Sequence, residues 1–266
     1  MRNATPRHHP RTPCVQAAGL TAIELVIAIT VLAILIALSI PAIGHFRESA
    51  RDAQSISNLR QHAGVFASYT ASHDDQWPLL IPPSQETIDL GGPEPRHYFE
   101  QFWLWHVFMA RDDYDTNSWN QVFFDPRSNE TGHTDYHYSQ AFVADPLFWN
   151  PSTRLDRAQR RSTRVSEVRH PAAKSLLLHQ PLDQELEQVH PQAGPIYRMT
   201  PSPWVFMAAA DGSAQRTHAW RIARGYFSPN GVIPRENTDI RLTFVGQAAP
   251  GTWTLDGVRG RDLADR

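Results

Sequence analysis

A chain of 266 residues, with 25 Lys+Arg against 27 Asp+Glu and a net charge of −2, has room for one moderate domain plus an extended helix. Arg2, Arg7 and Arg11 fall in the first 19 residues with no acid among them, so removal of that stretch takes the net charge from −2 to −5, and a mildly acidic remainder argues against a dedicated nucleic-acid binder. The only cysteine, Cys14, lies in the same stretch; the rest of the chain therefore forms no internal disulfide in any compartment, and Arg11-Thr12-Pro13 before it is not the apolar core of a lipoprotein signal.

Residues 1–19 are polar, interrupted by Pro6, Pro10 and Pro13, and read as an unstructured leader. An apolar run follows from Leu20 to Ile43, with Pro41 near its end. A membrane-spanning helix needs roughly 20 mainly apolar residues, and this run is long enough. Glu24 is the only charged residue between Arg11 and His45. A carboxylate at the bilayer centre costs about 2–3 kcal/mol, so its presence in the run asks for a reason. The basic residues before the run orient it with the leader in the cytoplasm and the C-terminal part across the membrane. An ordinary secretory signal or a plain signal anchor would account for apolarity. An ordinary signal, however, has a shorter core of roughly 7–15 residues followed by a small-x-small cleavage site. Gly19 and Glu24 are what separate the readings.

Gly19, Leu20 and Glu24, placed after a basic leader and at the head of an apolar helix, resemble the class III signal of type IV pilins and type II secretion pseudopilins. The resemblance implies cleavage after Gly19 by an inner-membrane prepilin peptidase and methylation of the new amine on Leu20. It implies that Glu24, as fifth residue of the processed chain, meets the N-terminus of a neighbouring subunit. The implied partners are that peptidase, other pilin or pseudopilin subunits, the inner-membrane assembly platform and the membrane itself, with no nucleic acid. The implied location is a single pass of the inner membrane with a periplasmic head, then a filament. Leu20 stands where the family usually has phenylalanine, and Ala22 where leucine is common.

Residues 20–73 read as one long helix. Its first half is apolar all round, with a kink expected at Pro41 and loosening at Gly44. In its second half Ile56, Leu59, Ala63, Phe66 and Thr70 recur at spacings of three and four and share a face. Arg47, Arg51, Asp52, Gln54, Arg60 and Gln61 take much of the rest. Asp74, Asp75 and Pro78 supply the helix stop. The Asn58-Leu59-Arg60-Gln61 segment with Tyr69 and the Asp-to-Pro turn is similar to a pattern in pseudopilin-like proteins abundant in planctomycetes. Residues 79–97, rich in proline and glycine, read as a loop. Tyr98 to Met109 is dense in aromatics, and residues 99, 102, 103 and 106 share a helical face, which predicts a short buried helix rather than a sugar platform.

Gln121-Val122-Phe123-Phe124 reads as a strand entering Asp125-Pro126, where the resemblance would place a cysteine instead of Asp125. His133 to Ser139 alternates polar and aromatic residues, as a strand with one wet face does. His133 and His137 have zinc-like spacing only on a helix, and no third ligand is evident. Arg154, Arg157, Arg160, Arg161, Arg164 and Arg169 form either a solvated segment or a basic patch. Ser175 to His179 reads as a buried strand, and Trp204 to Ala214 as strand, Asp211-Gly212 turn, strand. In the resembling family a histidine commonly stands where this chain has Ser213. Residues 181–203 read as a loop, Arg241 to Val245 as a strand, and the tail from Gly246 as turn-rich with Trp253 as an anchor.

The phosphate-binding Gly-rich loop, the Gly-x-Ser-x-Gly elbow, the His-Glu-x-x-His pair and cysteine pairs do not occur, so the reading is non-enzymatic, with no cofactor and no metal. No acid-dense calcium loop is present. The expected fold is α+β: a leader (1–19), a transmembrane and then amphipathic helix (20–73), and a head (74–266) built on an antiparallel sheet, as in pilins. The alternatives are a signal-anchored periplasmic binding domain, with glycans as one ligand class, and an anchored enzyme without a recognisable motif.

Overall fold

The computed structural model describes residues 21–90, 95–128, 134–150, 152–179, 204–218, 221–222, 254 and 256–263. The chain divides into two compact units, Met1–Ser49 and Ala50–Arg266, and the division falls within one helix. That helix, α1 (Ala22–Ser72), is continuous through Pro41 and Gly44. Its start and stop lie within two residues of the sequence expectation. The described side chains from Thr21 to Ile40 are all exposed, including Ile23, Leu32 and Leu38. Among the described residues it is the one helix long and apolar enough to cross a membrane. Pro41 lacks an N–H and would leave a carbonyl unpaired in a soluble helix interior, yet the helical run does not break there.

The second unit begins with the amphipathic half of α1. Leu59, Ala63, Phe66 and Thr70 are buried and Ile56 is half-buried, as their spacing predicts. Ser55, Asn58 and His62 are buried beside them. Asp74 and Asp75 follow the helix with left-handed backbone, φ 52° and 59°, which short polar side chains tolerate. The stretch expected to be a plain loop contains a small ladder, β1 (Thr87–Ile88) antiparallel to β2 (Arg96–His97). A 3-10 turn, Tyr98–Glu100, leads into α2 (Gln101–Asp112). This helix is buried on more than one side: Phe102, Leu104, Trp105, His106 and Met109 are all inside.

Gln121–Phe123 is a 3-10 turn, not the strand expected from its apolar residues. Asn120 caps it, its side chain accepting from Val122 N–H at 3.0 Å. A local cap takes the place of a ladder here, and among the described residues no strand pairs with the segment. A four-stranded antiparallel sheet then runs β3 (Tyr136–Tyr138), β4 (Ser175–His179), β5 (Trp204–Ala209), β6 (Ala214–His218), in that spatial order. β3 has no wet face: all three residues are buried. α2 lies against it, with Trp105 Nε1–H donating to Tyr136 O at 2.6 Å. The β5–β6 hairpin closes through Gly212 at φ 85°, and Asp211 Oδ1 accepts from Ser213 N–H at 2.9 Å. Asp211 is thus a turn residue, as expected.

Both faces of the sheet are apolar and covered. Leu177, Phe206 and Ala208 face the main core, where Phe66 of α1 meets Trp105 and Tyr138 at ring separations of 5.2 and 5.0 Å. Leu178, Val205, Met207 and Ala209 face a second cluster completed by Ile222 and Leu263. The period of two along β5 therefore sorts its side chains between two cores, as strands buried on both sides do.

The segment 256–263 is built into the head. Its 3-10 turn Gly257–Arg259 packs near Pro146–Trp149, and Val258 is fully buried. Gly257 has φ 54°, and a methyl group there would be driven into Cδ1 of the Trp149 ring. Left-handed backbone costs an alanine about 1–2 kcal/mol, and overpacking adds about 1–3 kcal/mol. Gly257→Ala is expected to lower stability by roughly 2–5 kcal/mol, seen as a lower urea midpoint at unchanged slope.

Residues 129–133, 180–203 and 223–253 lie outside the described set. So do the expectations that fall on them: His133, the loop at 181–203, the strand Arg241 to Val245 and the Trp253 anchor.

Candidate functional site

Of the three residues that carry the N-terminal expectation, Gly19 and Leu20 lie outside the described residues and Glu24 lies in the first turn of α1. Thr21 precedes the helix. Its N–H and hydroxyl donate to Glu24 Oε2 at 2.8 and 2.9 Å, and Glu24 N–H points back at Thr21 Oγ1 at 3.4 Å. This reciprocal arrangement is a capping box, Thr-x-x-Glu, which satisfies two orphan donors of the helix start. Glu24, a lone carboxylate by its charge alone, thus has a partner, and Thr21-Ala22-Ile23-Glu24 spells the pattern. A carboxylate near the helix N-terminus also meets the positive end of the helix dipole.

A second constellation lies inside the head, along the polar edge of the buried face of α1. Asp52, Ser55, Asn58 and His62 follow one another at spacings of three and four. Asp52 pairs with Arg127, and with Arg216 of β6 at 2.9 Å. Ser55 Oγ donates to Asp125 Oδ2. Asn58 donates to the Tyr136 hydroxyl of β3 at 3.2 Å. His62 Nε2 lies 2.9 Å from Val122 O and Nδ1 lies 2.7 Å from the Tyr114 hydroxyl. A carbonyl only accepts, so Nε2 carries the proton and Nδ1 accepts from Tyr114. Burial pushes His62 down to about 3, with the Val122 bond opposing and nearby His106 adding to the shift.

Asp125 is the hub. Besides Ser55 it meets Arg127 Nη1 at 3.3 Å and His179 Nε2 of β4 at 3.3 Å, while its own N–H donates to Asp135 Oδ2 at 2.7 Å. Burial pushes His179 down to about 4, opposed by Asp125 and reinforced by Arg127. Its Nδ1 has no partner among the described residues, so a second ring proton would be a buried orphan donor. Serine, histidine and aspartate are together here, but in an order that does no nucleophilic chemistry. The aspartate sits between the other two, His179 reaches Asp125 instead of the hydroxyl, and all three are buried. The arrangement ties α1 to three strands of the sheet. Asp125 does this by accepting from Ser55 and meeting neutral His179, at the position where the resemblance would put a thiol.

A third group anchors the C-terminal segment. Lys174 is the only lysine in the sequence, and it is completely buried. Its Nζ lies 3.0 Å from Asp262 Oδ2 and 3.1 Å from Oδ1, and donates to Thr254 Oγ1 at 3.1 Å. Asp262 Oδ2 also accepts from Ser175 N–H at 2.8 Å. Burial lowers the lysine and raises the aspartate, and their mutual attraction opposes both shifts.

The arginine-rich segment is partly paired into the head and partly solvated, with Arg157, Arg164 and Arg169 exposed. Arg160 is buried, bidentate to Glu86 at 3.2 Å, with its guanidinium 4.9 Å from the Tyr98 ring. Arg161 bridges Asp145 and Glu167 at 2.8 and 2.7 Å. Arg157 also pairs with Glu86, and Arg154 lies over Phe148. Arg164 and Arg169 are the exposed remainder. His137 is buried in β3, and among the described residues no three His, Cys, Asp or Glu side chains gather to hold a metal. No family model, no curated protein and no solved structure matches this chain.

Proposed function

We propose that this protein is a filament subunit of the pseudopilin type, serving a type II secretion pseudopilus or a related type IV pilus-like assembly. The observation that carries the reading is a single carboxylate, Glu24, in the first turn of α1, whose described side chains as far as Ile40 are exposed, within a sequence run that carries no other charge from Leu20 to Ile43. The basic leader and Gly19 ahead of it support cleavage after Gly19, with Leu20 becoming the methylated first residue. In the inner membrane the leader faces the cytoplasm and the head faces the periplasm.

Assembly then brings Glu24 of an incoming subunit to the positive N-terminus of its neighbour. In a low-dielectric filament core that attraction is far stronger than in water, and desolvation offsets much of it. The pair forms only at one axial offset, so it sets register, while helix packing supplies the remaining contact. Inside one subunit Thr21 already satisfies the carboxylate, which lowers the cost of carrying it into lipid before assembly.

Intact mass and N-terminal sequencing of the membrane-extracted protein test the class directly: a start at methylated Leu20 is expected, and a start at Met1 identifies a plain anchor. Glu24→Ala should leave that cleavage largely unchanged and abolish incorporation into filaments. Wild-type levels of the variant in sheared filament fractions would refute the assigned role of Glu24.

A further inference from the structure

Lys174 stands out by residue type. Every other cationic side chain among the 25 is an arginine, which pairs with a carboxylate in a fixed two-pronged geometry that lysine lacks. Lysine has a different property: its amine gives up a proton when buried and is then a nucleophile. A buried ion pair is a weak source of stability. Holding the C-terminal segment to β4 therefore does not by itself account for a lysine at this position.

Lys174 and Asp262 are both wholly buried. Nζ lies 3.0 and 3.1 Å from the two carboxylate oxygens, which brings the carbon between them, Cγ, into contact with the amine. Well-oriented groups at contact distance react with effective molarities of roughly 10⁵–10⁸ M. Burial favours the neutral form of each group, lowering the lysine and raising the aspartate. Two further groups complete the site. Ser175 N–H donates to Oδ2 at 2.8 Å, where negative charge develops when Cγ is attacked. Thr254 Oγ1, also buried, accepts from Nζ at 3.1 Å, and its hydroxyl hydrogen-bonds the Asp262 carboxyl. It therefore touches both the group that loses a proton and the group that gains one.

We propose that Lys174 and Asp262 condense into an intramolecular amide, an isopeptide bond that ties β4 to the C-terminal segment. The ammonium first passes a proton to Oδ1, leaving a neutral amine beside a carboxylic acid. Nζ attacks Cγ, and the oxyanion on Oδ2 accepts from Ser175 N–H. An amine proton travels through the Thr254 hydroxyl to Oδ1, the Cγ–Oδ1 bond breaks, and one water leaves. One N–C bond replaces one C–O bond, with no oxidant and no co-reactant. The bond joins positions 88 apart in sequence. A chain that has not condensed keeps the ion pair and opens reversibly. The proposal is independent of the filament reading, since every group it uses lies in the second unit.

The test follows the full-length protein, extracted in detergent and held folded at neutral pH, by intact mass and tryptic mapping. The chain is expected to lose the mass of one water. Digestion should release a branched peptide, residues 170–198 joined to residues 262–266, with no cleavage after Lys174. Lys174→Arg should keep its full mass. Thr254→Val, which retains the amine and the carboxyl, should slow the loss about a hundredfold, the low end of what a positioned proton-transfer group contributes. Thr254→Ser should restore the rate, which a purely structural role for the side chain does not require. A folded wild-type chain at full mass, cleaved after Lys174, would overturn the proposal and leave a plain ion pair. A water loss that maps to Asp211-Gly212 or Asp256-Gly257, where succinimide closure removes the same mass, would overturn it equally. An unchanged rate in Thr254→Val would overturn the role given to that hydroxyl.

Discussion

Asp262→Ala is expected to destabilise the head by roughly 3–5 kcal/mol, the range for removing one partner of a buried ion pair. The replacement strands the Lys174 ammonium with Thr254 as its remaining hydrogen-bond partner, and it removes the acceptor of Ser175 N–H at the start of β4. It also frees the segment that covers the second face of the sheet through Leu263. Lys174→Met is expected to behave differently. It leaves a buried carboxylate that keeps the Ser175 bond and becomes neutral by taking up a proton. Without the lysine, burial, the largest influence on Asp262, is opposed only by the Ser175 and Thr254 hydrogen bonds, and its folded-state pKa lies above the unfolded value. A raised carboxyl favours the fold below the unfolded pKa and opposes it as pH rises. The cost of Lys174→Met relative to wild type should therefore shrink as pH falls toward 4, whereas the cost of Asp262→Ala should not. Paired urea titrations at pH 7 and pH 4.5 check this, and identical pH behaviour of the two variants would contradict it.

The second large effect is acid sensitivity of the wild-type head. His62 is held neutral, near 3 when folded against an ordinary value near 6.5 when unfolded. A depressed pKa contributes stability that is present above the unfolded value and lost as pH falls toward the folded one. At about 1.4 kcal/mol per pKa unit, His62 alone removes about 3 kcal/mol between pH 7 and pH 4. His179, lowered to about 4, acts in the same direction and over much of the same window. Stability should thus fall by several kcal/mol between pH 6.5 and pH 4, as measured by chemical denaturation at fixed ionic strength. His62→Gln, which cannot titrate, should start from a lower stability and show a shallower slope. A variant slope equal to that of the wild type would remove His62 from the account.

What could be read from residues alone divides along physical lines. The apolar stripe of α1, the strand Ser175–His179 and the β5–β6 hairpin are local patterns of period 3.6 or 2 with turn chemistry at their ends, and all three stand where expected. Gln121–Phe123 misled because three apolar neighbours fit a strand and a capped 3-10 turn equally well, and the deciding group is the Asn120 side chain. The wet face expected of Tyr136–Tyr138 vanished because α2 packs on it, which no alternation within β3 encodes. The polar members of the α1 interface, Ser55, Asn58 and His62, look like solvent-side residues until Asp125, Tyr136 and Val122 are brought to them. Lys174 and Asp262 meet across 88 residues of sequence. One hint was available, since a lone lysine among 25 cationic residues is an unusual composition.

That lone lysine gives the head a built-in reporter of its own opening. Every other cation in the sequence is an arginine, and the ε-amine of Lys174 is sealed from solvent. Amine-directed reagents meet only the N-terminal amine while the fold is closed. A lysine-specific endoprotease has a single bond to cut, and it can reach that bond only when the C-terminal segment lets go of β4. Exposure of the site tracks the population of the open form when reclosing outpaces cleavage. The rate at which two fragments appear is then a direct measure of how often the segment detaches, with no label and no engineered residue.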